Sequence, residues 1–342
     1  MPVTIYDVAK QAEVGVGTVS RVLNNNPRVS PETRQRVLGV IDTLNFRPSP
    51  LAQRLSRRKT LSIGVIAVFF TRPSVVERLR GIEAVVAASE YDLIVYNVET
   101  PAKRDDIFCA TAANRRVDGL LVISLTPADA DVERWRSAGV PVVLVDTHHP
   151  ALPRIVVDDV LGGYRAAQHL LELGHRQIAF VGDPVHTAFN FTSSQDRLAG
   201  LCQALAEYDI AWRPDYHQTG EHGQEAARAL THQLLALDEP PTAIFAASDT
   251  QALGVMQAAR EVGIQVPEDL SVIGFDDIEM AEHVHLTTVR QPLVETGRRG
   301  IGLLRRLMDD PGLATTCEEL PIELVVRQTT APPAGPNSQK GA

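Results

Sequence analysis

Cysteine and long apolar segments are scarce in this sequence of 342 residues. The three cysteines, Cys109, Cys202 and Cys317, lack the spacing of a metal site or a redox pair, so we interpret them as packing residues of a protein in a reducing compartment. No run of roughly eighteen apolar residues is present, which argues against a membrane-spanning helix. The N-terminus has no apolar signal core. We therefore expect a cytoplasmic protein that makes no contact with a membrane.

Motifs of common enzyme classes are missing as well. The segment Gly15-Val16-Gly17 is a fragment of a dinucleotide-binding signature, but no strand precedes it and Ser20 replaces the last glycine. There is no Walker loop and no Gly-x-Ser-x-Gly motif. His283 and His285 alternate without a nearby cysteine, which is a weak metal signal. We therefore expect a non-enzyme that needs no cofactor and no metal.

Charge is distributed unevenly along the chain. The formal net charge is −9, yet residues 1–60 hold ten Lys and Arg against four Asp and Glu, a net charge of +6. The remaining residues hold 23 against 38, a net charge of −15. A basic N-terminal segment on an acidic body indicates that this segment alone meets a polyanion.

The basic segment has the pattern of three short helices. Thr4 and Asp7 predict a capping box, and Ser30 followed by Pro31 predicts the start of the third helix. Apolar residues recur at helical spacing in all three: Ile5, Val8, Ala9 and Ala12; Val19, Val22 and Leu23; Val37, Val40, Ile41 and Leu44, closed by Phe46. The tight turn at 13–14 and the small polar residues after it are typical of a helix-turn-helix. A helical hairpin in another all-helical domain would share this spacing.

Three motifs then identify a resemblance. Thr-Ile-Tyr-Asp-Val-Ala, Thr-Val-Ser-Arg-Val-Leu-Asn and Leu-Ser-Ile-Gly-Val-Ile occur in the order seen in the LacI/GalR family of bacterial transcription regulators. The sequence resembles this family from about Thr4 to Arg327. The resemblance implies a repressor that binds a palindromic, double-stranded operator as a homodimer under the control of a small effector. A sugar-binding protein without a DNA function, or a regulator controlled by a partner protein, is the alternative.

The resemblance and the outward-facing positions together predict the DNA contacts of residues 1–47. We expect Arg21 to contact a base, because arginine to guanine is the commonest specific pair. Gly17 has no side chain to read a base, and Val16, taken to point outward, can only touch a thymine methyl or select by shape. The full set of predicted contacts in this domain is Thr4, Gly15, Val16, Gly17, Thr18, Ser20, Arg21, Asn24, Arg28 and Ser30.

Residues 48–60 form a basic segment between the two parts of the chain. A helix here is marginal alone, because isolated helices shorter than about 12–15 residues are unstable in water. A flexible linker is therefore one explanation. The resemblance implies instead a hinge helix in the minor groove, where Leu55 wedges open a base step and Ser56 lies against DNA.

From Leu61 onward, continuous apolar runs alternate with amphipathic helices. Continuous runs indicate sheets covered on both faces, so we predict two doubly wound α/β lobes that resemble periplasmic sugar-binding proteins. Lobe 1 takes about 61–158 and 290–320, and lobe 2 takes about 159–288 and 321–330. We expect a disordered tail at 331–342, which has no leucine heptad, and hence a dimer rather than a tetramer.

Polar residues directly after predicted strands indicate a ligand site, because open α/β sheets bind ligands outside the carboxyl ends of their strands. Asp146, Asp249 and Asp276 lie at such strand ends. The resemblance implies a structural role for Asp249 and effector contacts at Asp146, Arg197, Ser248, Asp276 and Gln291. The full set of candidate effector-binding residues is Phe70, Arg72, Asp146, Arg197, Ser248, Asp276, Gln291 and Leu293. They suit a sugar, a sugar derivative or a nucleobase-like ligand. Helix capping would explain each of these residues singly. Arg72 could pair with an anionic ligand or simply be solvated, so a phosphorylated effector, an unusual effector and no effector are open alternatives.

Overall fold

A computed structural model describes residues 3–23, 25–47, 59–114, 116–184, 189 and 191–334. The predicted DNA contacts at Asn24, Leu55 and Ser56 lie outside these residues. The chain divides into two units, Met1–Leu61 and Ser62–Ala342, which are described separately. No helix among the described residues is long and apolar enough to cross a membrane.

The described residues of the first unit form three helices: α1 (Ile5–Gln11), α2 (Val16–Leu23) and α3 (Pro31–Thr43). The Thr4 side chain accepts the N–H of Asp7, and the Asp7 carboxylate accepts the N–H of Thr4 at 2.8 Å, which completes the predicted capping box. Ser30 caps α3 in the same way, ahead of Pro31. The buried core consists of Val8, Ala9, Ala12, Val19, Val22, Val37 and Phe46. The predicted three-helix fold is therefore confirmed.

Two six-stranded sheets organise the second unit. The strands of lobe 1 are β1 (Ser62–Val68), β2 (Asp92–Val98), β3 (Gly119–Ile123), β4 (Val142–Val145), β5 (Arg154–Val156) and β11 (Cys317–Glu319). Those of lobe 2 are β6 (Ile178–Gly182), β7 (His217–Thr219), β8 (Ala243–Ala246), β9 (Ser271–Asp276), β10 (Thr287–Arg290) and β12 (Glu323–Val325). The orders are β11-β5-β4-β3-β1-β2 and β12-β10-β9-β8-β6-β7. All pairs are parallel except the antiparallel pair of β10 and β12.

Helices cover both faces of each sheet. Lobe 1 carries α4 (Pro73–Val86), α5 (Pro101–Ala113), α6 (Asp129–Ala138) and α12 (Leu293–Asp309). Lobe 2 carries α7 (Asp159–Glu172), α8 (Ser193–Glu207), α9 (Gln224–Leu235), α10 (Asp249–Glu261) and α11 (Glu279–His283). In β1, Ile66 packs on the side of Phe108 and Trp135, whereas Val65 packs on the other side with Ile301. This burial of alternate residues on opposite faces explains the continuous apolar runs and confirms the doubly wound fold.

Several local predictions were wrong. The edge strand β2 is half-exposed along most of its length, because it has a neighbour on one side only. The short strands β5 and β11 were not predicted at all. Cys317 is exposed on β11 and Cys109 is exposed on α5, where its sulfur accepts a hydrogen bond from Arg134 Nη1 at 3.0 Å. These two cysteines are therefore not packing residues, and only Cys202 is partly buried.

A glycine contact in lobe 2 gives a test of how the helices pack. Gly163 of α7 lies so close to α8 that an added Cβ would overlap the carbonyl oxygen of Arg197. Backbone atoms cannot rotate aside as a side chain can, so Gly163→Ala must push the two helices apart. We expect a loss of about 1–3 kcal/mol in the free energy of unfolding, measured by chemical denaturation.

The matched control is Gly302→Ala in α12. A Cβ added at Gly302 meets no atom within 4 Å. Because alanine favours a helix over glycine by up to about 1 kcal/mol, this variant should be as stable as the wild type or more so. Equal stability of Gly163→Ala and Gly302→Ala would contradict the close crossing of α7 and α8.

Candidate DNA interface and ligand cavity

The leading end of α2 presents an open backbone surface. Gly15 and Gly17 are exposed, and a Cβ at either would meet no atom within 4 Å. The Gly15 carbonyl accepts the N–H of Thr18 at 2.8 Å and of Val19 at 3.3 Å, so the turn itself starts the helix. A partner surface can therefore approach the backbone here closely.

Predicted DNA contacts within the described part of this unit lie around α2. Arg21 is exposed, while Thr18 and Ser20 are half-buried. Arg28 is exposed in the connection between α2 and α3, and Ser30 and Thr4 are exposed at the N-termini of α3 and α1. Val16 corrects a prediction: it is half-buried and packs against the core, because its position in α2 lies one turn before the buried Val19.

Arg34, which the sequence reasoning missed, fixes the far end of α2. Its Nη2 donates to the Asn26 carbonyl at 2.7 Å, and its Nη1 donates to Asn25 Oδ1 at 3.0 Å. Since Arg34 lies on α3, these bonds hold the end of α2 against α3. The exposed face of α2 is thus presented by a rigid support.

In the second unit, a cavity of about 390 Å³ lies where the carboxyl ends of the strands of both lobes meet. Six of the eight candidate effector residues line it: Arg72, Asp146, Arg197, Ser248, Asp276 and Gln291. Phe70 and Leu293 do not. Phe70 is exposed, with its N–H bonded to Asn97 Oδ1 at 3.1 Å, and Leu293 is buried at the start of α12.

A chain of hydrogen bonds through Arg78 joins the two lobes at this cavity. Arg78 of α4 is only 1% exposed, and its Nη2 lies 2.8 Å from Asp146 Oδ1 and 3.1 Å from Gln291 Oε1, to which it donates. Gln291 Nε2 then donates to Asp276 Oδ1 at 2.7 Å. Because Asp146 follows a strand of lobe 1 and Asp276 ends a strand of lobe 2, these contacts connect the two lobes at the cavity.

The two aspartates of the chain have unusual backbone geometry. Asp146 has a φ of 59° and Asp276 has a φ of 117°. Ser124 lies beside Asp146, also at positive φ, and its hydroxyl donates to Asp146 Oδ2 at 2.6 Å. Such backbone costs about 1–3 kcal/mol per residue and clusters at ligand sites. Three strand-end residues with this backbone, Ser124, Asp146 and Asp276, line the cavity.

Arg197 holds the lobe 2 wall of the cavity. Its Nη2 and Nε both lie 2.8 Å from Asp159 Oδ1, and its Nη1 lies 3.9 Å from Asp276 Oδ1. The guanidinium stacks 3.6 Å from the ring centroid of Phe275. Burial raises the pKa of Asp159 from its ordinary value to about 6, and the charge of Arg197 opposes that rise. Burial also raises the pKa of Asp276, against the charges of Arg197 and Arg78.

Ser248 and Asp249 have different roles. Ser248 lines the cavity and caps α10 by accepting the N–H of Gln251 at 3.2 Å. Asp249 is fully buried outside the cavity lining, as the sequence reasoning expected. Its carboxylate accepts the Thr288 hydroxyl at 2.6 Å and the Ile278 N–H at 2.9 Å, so it ties β10 and the end of β9 to α10.

Two cavity residues that were missed had readable signals. Arg78 lies on the apolar stripe of α4 between Val75 and Ile82, where a charged residue is unexpected. Asp159 follows Asp158 just after β5, a strand that was not recognised. A charge on a buried helical face and an acidic pair after a strand are thus useful indicators of a site.

Family models match two segments of this chain. Residues 4–49 match the bacterial regulatory proteins of the lacI family, and residues 167–330 match a periplasmic binding protein-like domain. Catabolite control protein A of Priestia megaterium is 34% identical over 334 residues, which cover 96% of this chain and 100% of that protein. The chain belongs to the LacI family of bacterial regulatory proteins.

Solved structures agree with this assignment. The lac repressor dimer bound to operator and the anti-inducer ONPF has a TM-score of 0.83 and 30% identity, covering 97% of this chain and 100% of that one. The complex of the transcriptional regulator CelR with cellobiose has a TM-score of 0.71 and 28% identity, covering 96% and 99%. The resemblance to the LacI family, the two-lobed fold and the class of DNA-binding transcription regulator are confirmed.

Proposed function

We propose that this LacI-family regulator is a cytoplasmic repressor that binds a palindromic operator as a homodimer and that a small polar effector in the cavity controls its affinity for DNA. Each chain carries one helix-turn-helix, and a two-fold axis would present two of them to related half-sites. The similar lac repressor binds its operator as a dimer, which supports this assembly.

At the operator, Arg21 reads a base, since it is the long, exposed, cationic side chain of α2. Thr4, Thr18, Ser20 and Ser30, together with the backbone at the two glycines of the α2 turn, lie toward the phosphates. Phosphate contacts position the protein, whereas the base contact supplies the specificity.

The hydrogen-bond chain from Arg78 through Gln291 to Asp276 carries the proposal of effector control. A ligand that bonds to these residues stabilises one lobe angle over another. It shifts the equilibrium only by the difference in its affinity for the two angles. The cellobiose-bound and ONPF-bound relatives support a small polar effector. Because the similar proteins are transcription regulators, we infer that the protein is not an enzyme.

Footprinting of full-length protein on the intergenic DNA beside its gene tests the operator model. We expect two protected half-sites related by a two-fold axis, about one helical turn or a multiple of it apart. The same DNA with one half-site scrambled is the matched control and should lose most of the protection. Protection of a single asymmetric half-site on the intact DNA would reject the dimer on a palindrome.

A further inference from the structure

One arginine of the cavity lining forms no ion pair with any residue that the structure describes. Arg72 lines the cavity at the start of α4 and is half-buried. Among the residues that the structure describes, its guanidinium has no ion pair and no hydrogen bond, and it does not cap α4. Its contacts are with two aromatic rings, at 4.4 Å from the centroid of Phe69 and 5.9 Å from that of Phe191. The rings position the charge without neutralising it.

The electrostatic environment of Arg72 leaves its charge incompletely compensated. Burial lowers the pKa of Arg72, and the charge of Asp183 opposes that effect only in part. Asp183 already contacts His222 Nδ1 at 3.2 Å and accepts from Gln251 Nε2 at 3.2 Å. An anion placed against Arg72 would therefore be bound favourably, because it supplies the partner that burial has removed.

The two other arginines of the cavity each form an ion pair with a carboxylate of the lining. Asp146 lies 2.8 Å from Arg78, and Asp159 lies 2.8 Å from Arg197. Asp276 accepts from the amide of Gln291. The remaining carboxylates of the lining are Asp183, which contacts His222, and Asp196, which lies in the first turn of α8, where the helix dipole stabilises a negative charge. The two other arginines thus have carboxylates of their own, whereas Arg72 makes no ion pair with a described residue.

Hydroxyl-bearing residues line the same cavity as Arg72. Ser74 is two residues along from it, and Thr192 follows the Phe191 ring that Arg72 contacts; both line the cavity with Ser193. The Thr192 side chain makes no capping bond to α8. A guanidinium beside hydroxyl groups is a donor-rich wall, which is the complement of an oxyanion.

We propose that the effector carries an oxyanion, as a carboxylate or a phosphate group, on a polyhydroxylated body of about monosaccharide size, and that Arg72 binds this group. The cavity of about 390 Å³ lies at the small end of the range for ligand pockets, about 300–1,000 Å³. The paired polar groups around Gln291 and Arg197 remain for the hydroxyl groups of the body. This inference rests on the proposed function of the cavity as the effector site.

Calorimetry with matched ligands tests the inference. Full-length protein is titrated with glucose and ribose, with their acids gluconate and ribonate, with glucose 6-phosphate and ribose 5-phosphate, and with inorganic phosphate. We expect one charged sugar derivative to bind at least about 10-fold more tightly than its neutral parent, since charge-assisted hydrogen bonds are the strong ones. The acid and phosphate arms show which oxyanion is preferred.

Variants of Arg72 assign the contact. Arg72→Gln should weaken binding of the charged ligand on the order of 10- to 100-fold and flatten its salt dependence, and Arg72→Lys should lose less. Arg136→Gln, which removes an exposed arginine paired with Glu133, should bind as the wild type does. Thermal unfolding checks that each variant is folded.

Three results would overturn the inference: no charged ligand binds, the neutral parent binds equally well, or Arg72→Gln leaves the affinity unchanged. The footprint on the operator is measured without any ligand, so it tests the regulator role separately. If a neutral sugar alters operator affinity, the effector is not anionic, but the proposed control of DNA binding by an effector stands. If a charged ligand binds through Arg72 without altering operator affinity, the anion site stands and the proposed control of DNA binding fails.

Discussion

Arg197→Ala is expected to lower the free energy of unfolding by about 3–5 kcal/mol and to abolish the response to effector, because it removes one partner of a buried ion pair. Arg197 bonds to Asp159 at 2.8 Å, lies 3.9 Å from Asp276 and also donates to the Ala247 carbonyl. Without Arg197, the carboxylates of Asp159 and Asp276 stay buried and have no cation of lobe 2 beside them. Chemical denaturation measures the loss.

This loss should grow as the pH rises. The charge of Arg197 opposes the rise in the pKa of Asp159, so its removal moves that pKa further above about 6. A carboxyl whose pKa is raised by folding contributes stability below its unfolded pKa and loses it as the pH passes through the folded pKa. We therefore expect Arg197→Ala to be destabilised more at pH 8 than at pH 5.

Arg213→Ala is the matched control for Arg197→Ala. Arg213 also faces two carboxylates, Asp215 at 2.7 Å and Glu239 at 2.6 Å, but on the surface. Water screens such pairs, so the free energy of unfolding of this variant should be close to that of the wild type at both pH values. The buried network would be contradicted if Arg197→Ala lost no more free energy of unfolding than Arg213→Ala does. It would also be contradicted if the loss for Arg197→Ala became smaller toward pH 8.

Arg21→Ala should remove about 1–3 kcal/mol of discrimination between the operator and scrambled DNA, a factor of roughly 5–150. Binding to scrambled DNA should weaken far less, because only a general electrostatic contribution is lost there. Fluorescence anisotropy at constant salt measures both affinities. Arg36→Ala removes an exposed arginine of α3 that is not among the predicted contacts. This control should preserve the ratio of the affinities for operator and for scrambled DNA. An unchanged ratio for Arg21→Ala would show that α2 does not read the operator through this residue.

The sequence was most informative where structure is determined locally. The caps at Thr4 and Ser30 act within three or four residues, so the first unit was predictable from spacing alone. The strands β5 and β11 have only three residues each and form by pairing with each other and, for β5, with β4. Such pairing depends on distant chain segments, so no local sequence pattern predicted it.

The same limit applies to the cavity. Asp146 and Asp276 were recognisable because they follow buried apolar strands. The contact between Arg78 and Gln291 was not recognisable, because the two residues are 213 positions apart and no spacing rule connects them. Val16 was misassigned although the pattern within α2 was available: it lies three residues before the buried Val19, a helical spacing that places both on the packed face.

The coupling between cavity and operator is tested most directly by a reciprocal titration. Operator affinity of the full-length protein is measured at constant salt with and without a saturating concentration of the ligand that calorimetry selects from sugars, sugar acids, sugar phosphates and nucleobases. Ligand affinity is then measured with and without operator. We expect both dissociation constants to change by the same factor, about 5–150. Identical operator affinity with and without bound ligand would contradict control of DNA binding from the cavity.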